Sequence, residues 1–172
     1  MNQAESWESL LQKVEENNFK PDKATFCELH AFAGKEETLK WGEFRDSKVS
    51  IAGTEYQPPN AEKLDMIYNK GIEYILSIEN PIECGMAFFL FGAINQFFYD
   101  VNKRTSRLIM NGILLSAGYD TINIPAKRQL EFNQKMINFY DTQDGSEMMR
   151  FLTSCSLDEK LNELFLLNNF RS

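Results

Sequence analysis

Asp100, Lys103, Arg104 and Arg107 place one carboxylate and three cations within eight residues, inside the segment QFFYDVNKRTSR that runs from Gln96 to Arg107. Guanidinium groups at that density suit a polyanion, because their fork of donors matches phosphate oxygens. Arg104 and Arg107 are three residues apart and share a face if the segment is helical. A helix that begins near Lys103, with Asn102 as its cap, turns its unpaired N–H groups toward the same place. Cations there oppose the helix dipole by about 0.3 to 1 kcal/mol each, so their position makes most sense with an anion between them. Asp100, just outside the helix, is placed to hold Mg²⁺ against the same phosphates. The residues alone leave a second reading open, in which Asn102 is only a cap, Asp100 a turn residue and the cations a solvated patch.

Two elements must position this group. Gly85 to Ile94 is an unbroken run of apolar residues and glycines, and Leu108 to Ala117 is nearly so. Both read as helices apolar on all faces, buried at the centre, with their joint at Tyr99 to Asn102. Apolar residues recur at helical spacing through most of the chain, so the fold class is mainly α. Trp7, Leu10, Leu11 and Val14 mark a first helix, about 3 to 17. A second follows Pro21 and Asp22, carries His30, and stops at Gly34. Val49 and Ile51 alternate with Ser50 and Ala52 before a Gly53-Thr54 turn and Tyr56, the pattern of a short hairpin closed by Pro58 and Pro59. Asn60 is placed to cap a third helix. Pro125 opens another, with Phe132, Met136, Phe139 and Tyr140 on one face, and helices at about 145 to 154 and 157 to 168 complete the chain.

At 172 residues the chain suits a single domain, 1 to 172. A formal charge of −7 argues against nucleic acid or an anionic membrane as partner. Three widely spaced cysteines form neither a disulfide framework nor a zinc pattern, and the N-terminal residues lack a signal-peptide pattern. These features are those expected of a cytoplasmic protein.

The segment QFFYDVNKRTSRLIMNGILLSAGY resembles the signature of the Fic/Doc (Fido) family, HxFx[D/E]GNxRxxR between two central helices. Phe98, Asp100, Asn102, Arg104 and Arg107 match it position by position. GEFRDSKVSIAGTEYQPP, Gly42 to Pro59, is similar to the family's GxYR segment and the β-hairpin flap after it. The resemblance covers about residues 22 to 153 and implies the Fic fold, a multi-helix domain around a central helix pair with a small flap. It implies AMP transfer from ATP to a protein hydroxyl, with ATP and Mg as cofactors and a protein target as partner. Asp100 would hold the metal, and Asn102, Lys103, Arg104 and Arg107 the nucleotide. The flap residues Val49, Ile51, Gly53 and Tyr56 would align the target as an added strand.

The chain departs from the signature twice. Gln96 stands where the family has its catalytic histidine, and an amide cannot take a proton near neutral pH. Loss of a positioned base costs about 10²- to 10⁴-fold in rate. The chain's one histidine, His30, reads as structural. Val101 replaces a glycine, and a β-branched residue resists positive φ and crowds a phosphate. The family's inhibitory pattern [S/T]xxxE[G/N] is approached by QKVEEN, with Glu16 and Asn17 but Gln12 in place of the hydroxyl residue. The expectation is impaired catalysis with nucleotide binding partly retained; the alternative is a non-enzymatic protein-interaction module on the same scaffold.

Overall fold

The computed structural model of the chain describes residues 2 to 156; the expected helix at 157 to 168 lies outside them. Two compact units divide the chain, Met1–Tyr119 and Asp120–Ser172. The first holds five α-helices: α1 (Asn2–Glu15), α2 (Lys23–Ala33), α3 (Leu64–Leu76), α4 (Pro81–Asn95) and α5 (Asn102–Ser116). The second holds α6 (Gln129–Thr142) and a further helix, α7, over 146 to 156. In this second unit Phe132, Met136, Phe139 and Tyr140 are all buried, as their spacing requires, together with Met148, Phe151 and Leu152 of α7. No described helix is long and apolar enough to cross a membrane.

The central pair is α4 and α5. Asn80 accepts hydrogen bonds from the Ile82 and Glu83 amides at 2.9 and 3.3 Å, and Pro81 follows in the first turn, so α4 starts sharply. The two helices meet over small residues. A Cβ on Gly92 would stand 2.0 Å from Ser106 Oγ, so a larger residue there would drive α4 and α5 apart. Around this pair an aromatic core gathers Phe26 from α2, Tyr68 from α3, Phe88 and Phe91 from α4, and Phe44, Phe97 and Phe98 from the connecting segments. Phe26 lies 4.9 Å from Phe98 and 5.3 Å from Phe88, and Phe44 lies 4.8 Å from Phe97. Each fully buried phenyl contributes roughly 1.5 to 3 kcal/mol. Two of these rings belong to the α4–α5 loop, so the core itself fixes that loop.

Asp22 caps α2 as its sequence position suggests, accepting from the Thr25 amide at 2.9 Å, and Gly34 ends the helix. Three expectations are corrected. The hairpin at 48 to 56 has no strands among the described residues, although a turn forms at Ala52 and Gly53, the latter with φ of 88°. Its alternation persists, with Val49, Ile51 and Tyr56 half-buried and Ser50, Ala52 and Glu55 exposed. A lone pair of strands is marginal in water without a third strand, so burial of one face holds the segment without a ladder. Asn60 takes a cap's extended backbone, but its side chain makes no capping bond, and a 3-10 turn, Ala61–Lys63, precedes α3. Asn102 is not the cap of α5 either: Val101 holds that position, and Asn102 is the first helical residue.

Candidate functional site

The loop from Gln96 to Val101 is defined by two left-handed residues at its ends. Gln96, with φ of 47° and ψ of 62°, terminates α4, and Val101, with φ of 50° and ψ of 19°, starts α5. Asn102 braces the turn between them. Its Oδ1 accepts from the Phe98 amide at 2.9 Å, and its Nδ2 donates to the Phe98 carbonyl at 2.8 Å and to Gln96 Oε1 at 3.0 Å. With 3% of its surface exposed, Asn102 has spent its side chain on the loop. This tertiary role is why it does not cap α5 in the local manner. Only its main-chain amide remains for a ligand.

Gln96 is held at both ends of its amide. Nε2 donates to the Ala93 carbonyl at 2.6 Å while Oε1 accepts from Asn102. The side chain is therefore a strut between α4 and α5, with no titratable group to serve as base.

Val101 keeps a backbone that glycine adopts freely and a β-branched residue resists, at a cost of about 1 to 2 kcal/mol. Asp100 Oδ1 accepts from the Val101 amide at 2.7 Å, and the Val101 carbonyl accepts from the Thr105 amide and hydroxyl at 2.9 and 3.0 Å. The next three main-chain N–H groups, those of Asn102, Lys103 and Arg104, have no acceptor among the described residues. They are the open amino end of a fifteen-residue helix with no acidic residue in its first turn. Lys103, Arg104 and Arg107 lie on its first two turns. Burial pushes the Arg107 guanidinium below its ordinary range, with Arg104 adding repulsion. The Lys103 ammonium is lowered too, first by the protein around it despite its exposed surface and then by Arg107, while Asp100 opposes the effect. Arg104 Nη1 is turned onto the end of α2, 3.2 Å from the Ala33 carbonyl and 3.0 Å from Glu37 Oε2. Asp100 is exposed beside this group.

His30 lies directly beneath the loop. Its ring stacks on Phe98 with centroids 3.7 Å apart and planes within 8°, and Nδ1 accepts from the Gly42 amide at 3.0 Å. It is wholly buried, and burial lowers its pKa to about 4, against the opposing effects of the Asp100 carbonyl and carboxylate. Nε2 faces that carbonyl without a hydrogen bond of normal geometry. His30 is thus a neutral prop for the loop.

Two residues that sequence reasoning passed over tie the flap segment to the loop. Arg45, 2% exposed, donates from Nε to the Gln96 carbonyl at 2.6 Å and from its Nη atoms to the carbonyls of Ser47 and Pro59. Tyr99 donates its hydroxyl to Asp46 Oδ1 and accepts from Ser47 Oγ at 2.8 Å. The one available signal was an arginine set between Phe44 and Asp46 within a matched motif. Glu37, the partner of Arg104, carries no sequence signal at all. Glu16 of the QKVEEN segment has its two oxygens engaged by Gln12 and Asn18, at 2.8 and 3.0 Å.

The sequence profile of the Fic/DOC family matches residues 20–114. The chain belongs to the Fic/DOC family. Among curated proteins it is similar to "Protein adenylyltransferase Fic" of Drosophila erecta, 28% identical over 164 residues, covering 92% of this chain and 31% of that protein. The Drosophila yakuba protein of the same name is 30% identical over 164 residues with the same coverage. The chain thus spans about a third of the length of the curated relatives it matches. In fold, this Fic/DOC chain resembles a Fic family protein from Desulfovibrio desulfuricans G20, with a TM-score of 0.78 at 15% identity, covering 95% of this chain and 53% of that one. It also resembles the BepC protein from Bartonella tribocorum with bound AMPPNP, with a TM-score of 0.59 at 14% identity, covering 88% and 84%. The all-helical architecture of the described residues accords with that likeness.

Proposed function

We propose that this Fic/DOC chain binds a nucleoside triphosphate with Mg²⁺ at the amino end of α5 and has lost, or nearly lost, the transfer of AMP to a protein hydroxyl. The observation that carries the binding half is the open amino end of α5, where the Asn102, Lys103 and Arg104 amides have no acceptor among the described residues and Lys103, Arg104 and Arg107 occupy the first two turns. The amides of Asn102, Lys103 and Arg104 would take phosphate oxygens, and Lys103, Arg104 and Arg107 would neutralise the outer charges. Asp100, exposed, has the hard oxygen donor that Mg²⁺ prefers. Val101 retains the positive φ, so the loop amides keep the direction that a glycine would give them. BepC, which shares the fold, carries bound AMPPNP, a ligand of the class proposed here.

The catalytic half turns on Gln96. Transfer of AMP requires a hydroxyl oxygen to attack the α-phosphorus as pyrophosphate leaves, with the hydroxyl proton passing to a base. The Mg²⁺ ion, when bound, would offset charge on the phosphates. At position 96 this chain offers an amide already committed to Ala93 and Asn102. The curated relatives are named protein adenylyltransferases, which makes a protein hydroxyl the acceptor class for any remaining activity.

A titration with ATP and Mg²⁺, followed by thermal unfolding, tests the binding half, since a ligand at 100 times its Kd adds about 2.7 kcal/mol. No rise in Tm at millimolar ATP refutes it. Labelled ATP should leave the unmutated protein unlabelled, and Gln96→His should gain transfer; robust labelling of protein by the natural sequence refutes the catalytic half. The reading as an interaction module draws on one observation, the capture of Arg104 by Glu37, and it is favoured if ATP gives no shift.

A further inference from the structure

Arg45 is a buried cation whose described partners are all carbonyl oxygens. Nε reaches Gln96 at 2.6 Å, Nη1 reaches Ser47 at 2.7 Å, and Nη2 reaches Pro59 at 2.6 Å and, more distantly, Asn95 at 3.4 Å. The Arg45 main-chain amide also donates to the Phe97 carbonyl at 2.9 Å. Burying a guanidinium without a carboxylate is expensive unless its donors are filled. Here the filling includes the carbonyls of Asn95 and Gln96 at the negative end of α4, which favours a cation.

The choice of carbonyls is informative. Ser47 and Pro59 bracket the segment 46 to 59, which has no strand ladder of its own, and Gln96 is the position where a base would stand. One planar fork therefore closes the segment at its two ends and fixes it to residue 96. We propose that Arg45 is a positioning residue: a pin that sets the height of the segment 46 to 59 over position 96. Anything docked along that segment meets residue 96 at a distance fixed by this side chain. The consequence for transfer rests on the reading above, whereas the tethering does not. Tyr99, bonded to Asp46 and Ser47 at the more exposed rim, is a second and weaker tether.

Limited trypsin digestion tests the pin without nucleotide. Lys48 is the only lysine or arginine between Asp46 and Pro59 and is exposed, as is Lys70 on α3. Both Arg45→Met and Arg45→Lys are expected to raise cleavage after Lys48 relative to Lys70 by roughly tenfold or more, through local opening. Lysine keeps the charge but cannot serve three diverging carbonyls, so it should not rescue. A merely structural contribution would speed both cleavages together, because both would then proceed through the unfolded chain. An unchanged ratio, or an Arg45→Lys protein that behaves as the natural one, overturns the proposal. Should neither variant fold, exchange of the Arg45 Nε–H in the unmutated protein under rising urea decides. Exchange in step with Lys48 cleavage, below global unfolding, is expected. Free cleavage at Lys48 while that proton exchanges only on global unfolding overturns the pin.

Discussion

His30 offers an unusually clean test of how the loop is supported, because it is the chain's one histidine. Its pKa falls from 6.5 to about 4 in the folded protein, chiefly through burial. The unfolded chain therefore binds a proton that the folded one refuses, and stability must fall as pH drops from about 7 toward 4. Above 6.5 both states hold a neutral ring and the penalty is absent; below about 4 both are protonated and it is complete, at about 3 kcal/mol. Between pH 7 and pH 5 the same linkage gives about 2 kcal/mol, a range in which ordinary carboxylates, with pKa values near 4, titrate little. Urea unfolding followed by circular dichroism at pH 7, 6 and 5 measures it. His30→Gln, which keeps an acceptor for the Gly42 amide, should lose the slope even if its stability at pH 7 is lower. A flat profile for the natural protein, or a slope that survives the substitution, would refute the picture of a buried neutral prop beneath Phe98.

The remaining expectations concern the loop and its cations. Val101→Gly relieves about 1 to 2 kcal/mol of left-handed strain but adds about 0.5 to 1 kcal/mol of unfolded-state freedom, so stability by denaturant should hold or rise by up to about 1.5 kcal/mol. A clear loss would mean that the Val101 side chain packs better than its half-exposure implies. Glu37→Gln frees Arg104 from a partly exposed ion pair, worth about 0.2 to 1 kcal/mol, and calorimetry should show ATP binding up to about fivefold tighter. Weaker binding would show that Glu37 orients Arg104 for the anion. Asn102→Ala strips the Phe98 amide of a buried partner, and urea unfolding should register a loss of about 1 to 3 kcal/mol.

Helices were legible where a local rule and a packing demand agreed. Phe132, Met136, Phe139 and Tyr140 share a face in the sequence pattern and are all buried, and Asp22 both precedes α2 and caps it. Legibility failed where a tertiary partner outbid the local one. Asn102 has the residue type and place of a cap, yet its amide is drawn back across the loop to Phe98 and Gln96. Val49 and Ile51 have the alternation of a strand, but no strand stands beside them among the described residues, so only the half-buried face survives. The role of Arg45 was hidden for a related reason: its described partners are carbonyl oxygens, which have no residue type and leave no complementary charge to find.

Gln96 joins these two lessons. Its identity places an amide where the family signature has a histidine, and its hydrogen bonds put that amide to structural use. Nε2 closes the last turn of α4 and Oε1 receives the brace from Asn102, while its carbonyl anchors Arg45. A histidine introduced at 96 must give up one of those side-chain bonds to free a ring nitrogen for an incoming hydroxyl. Gln96→His should therefore gain transfer only at some expense in loop stability, visible as a lower Tm in the absence of ATP. Gain of transfer with an undiminished Tm would mean that the strut contributes nothing measurable, and that position 96 had remained open to the chemistry all along.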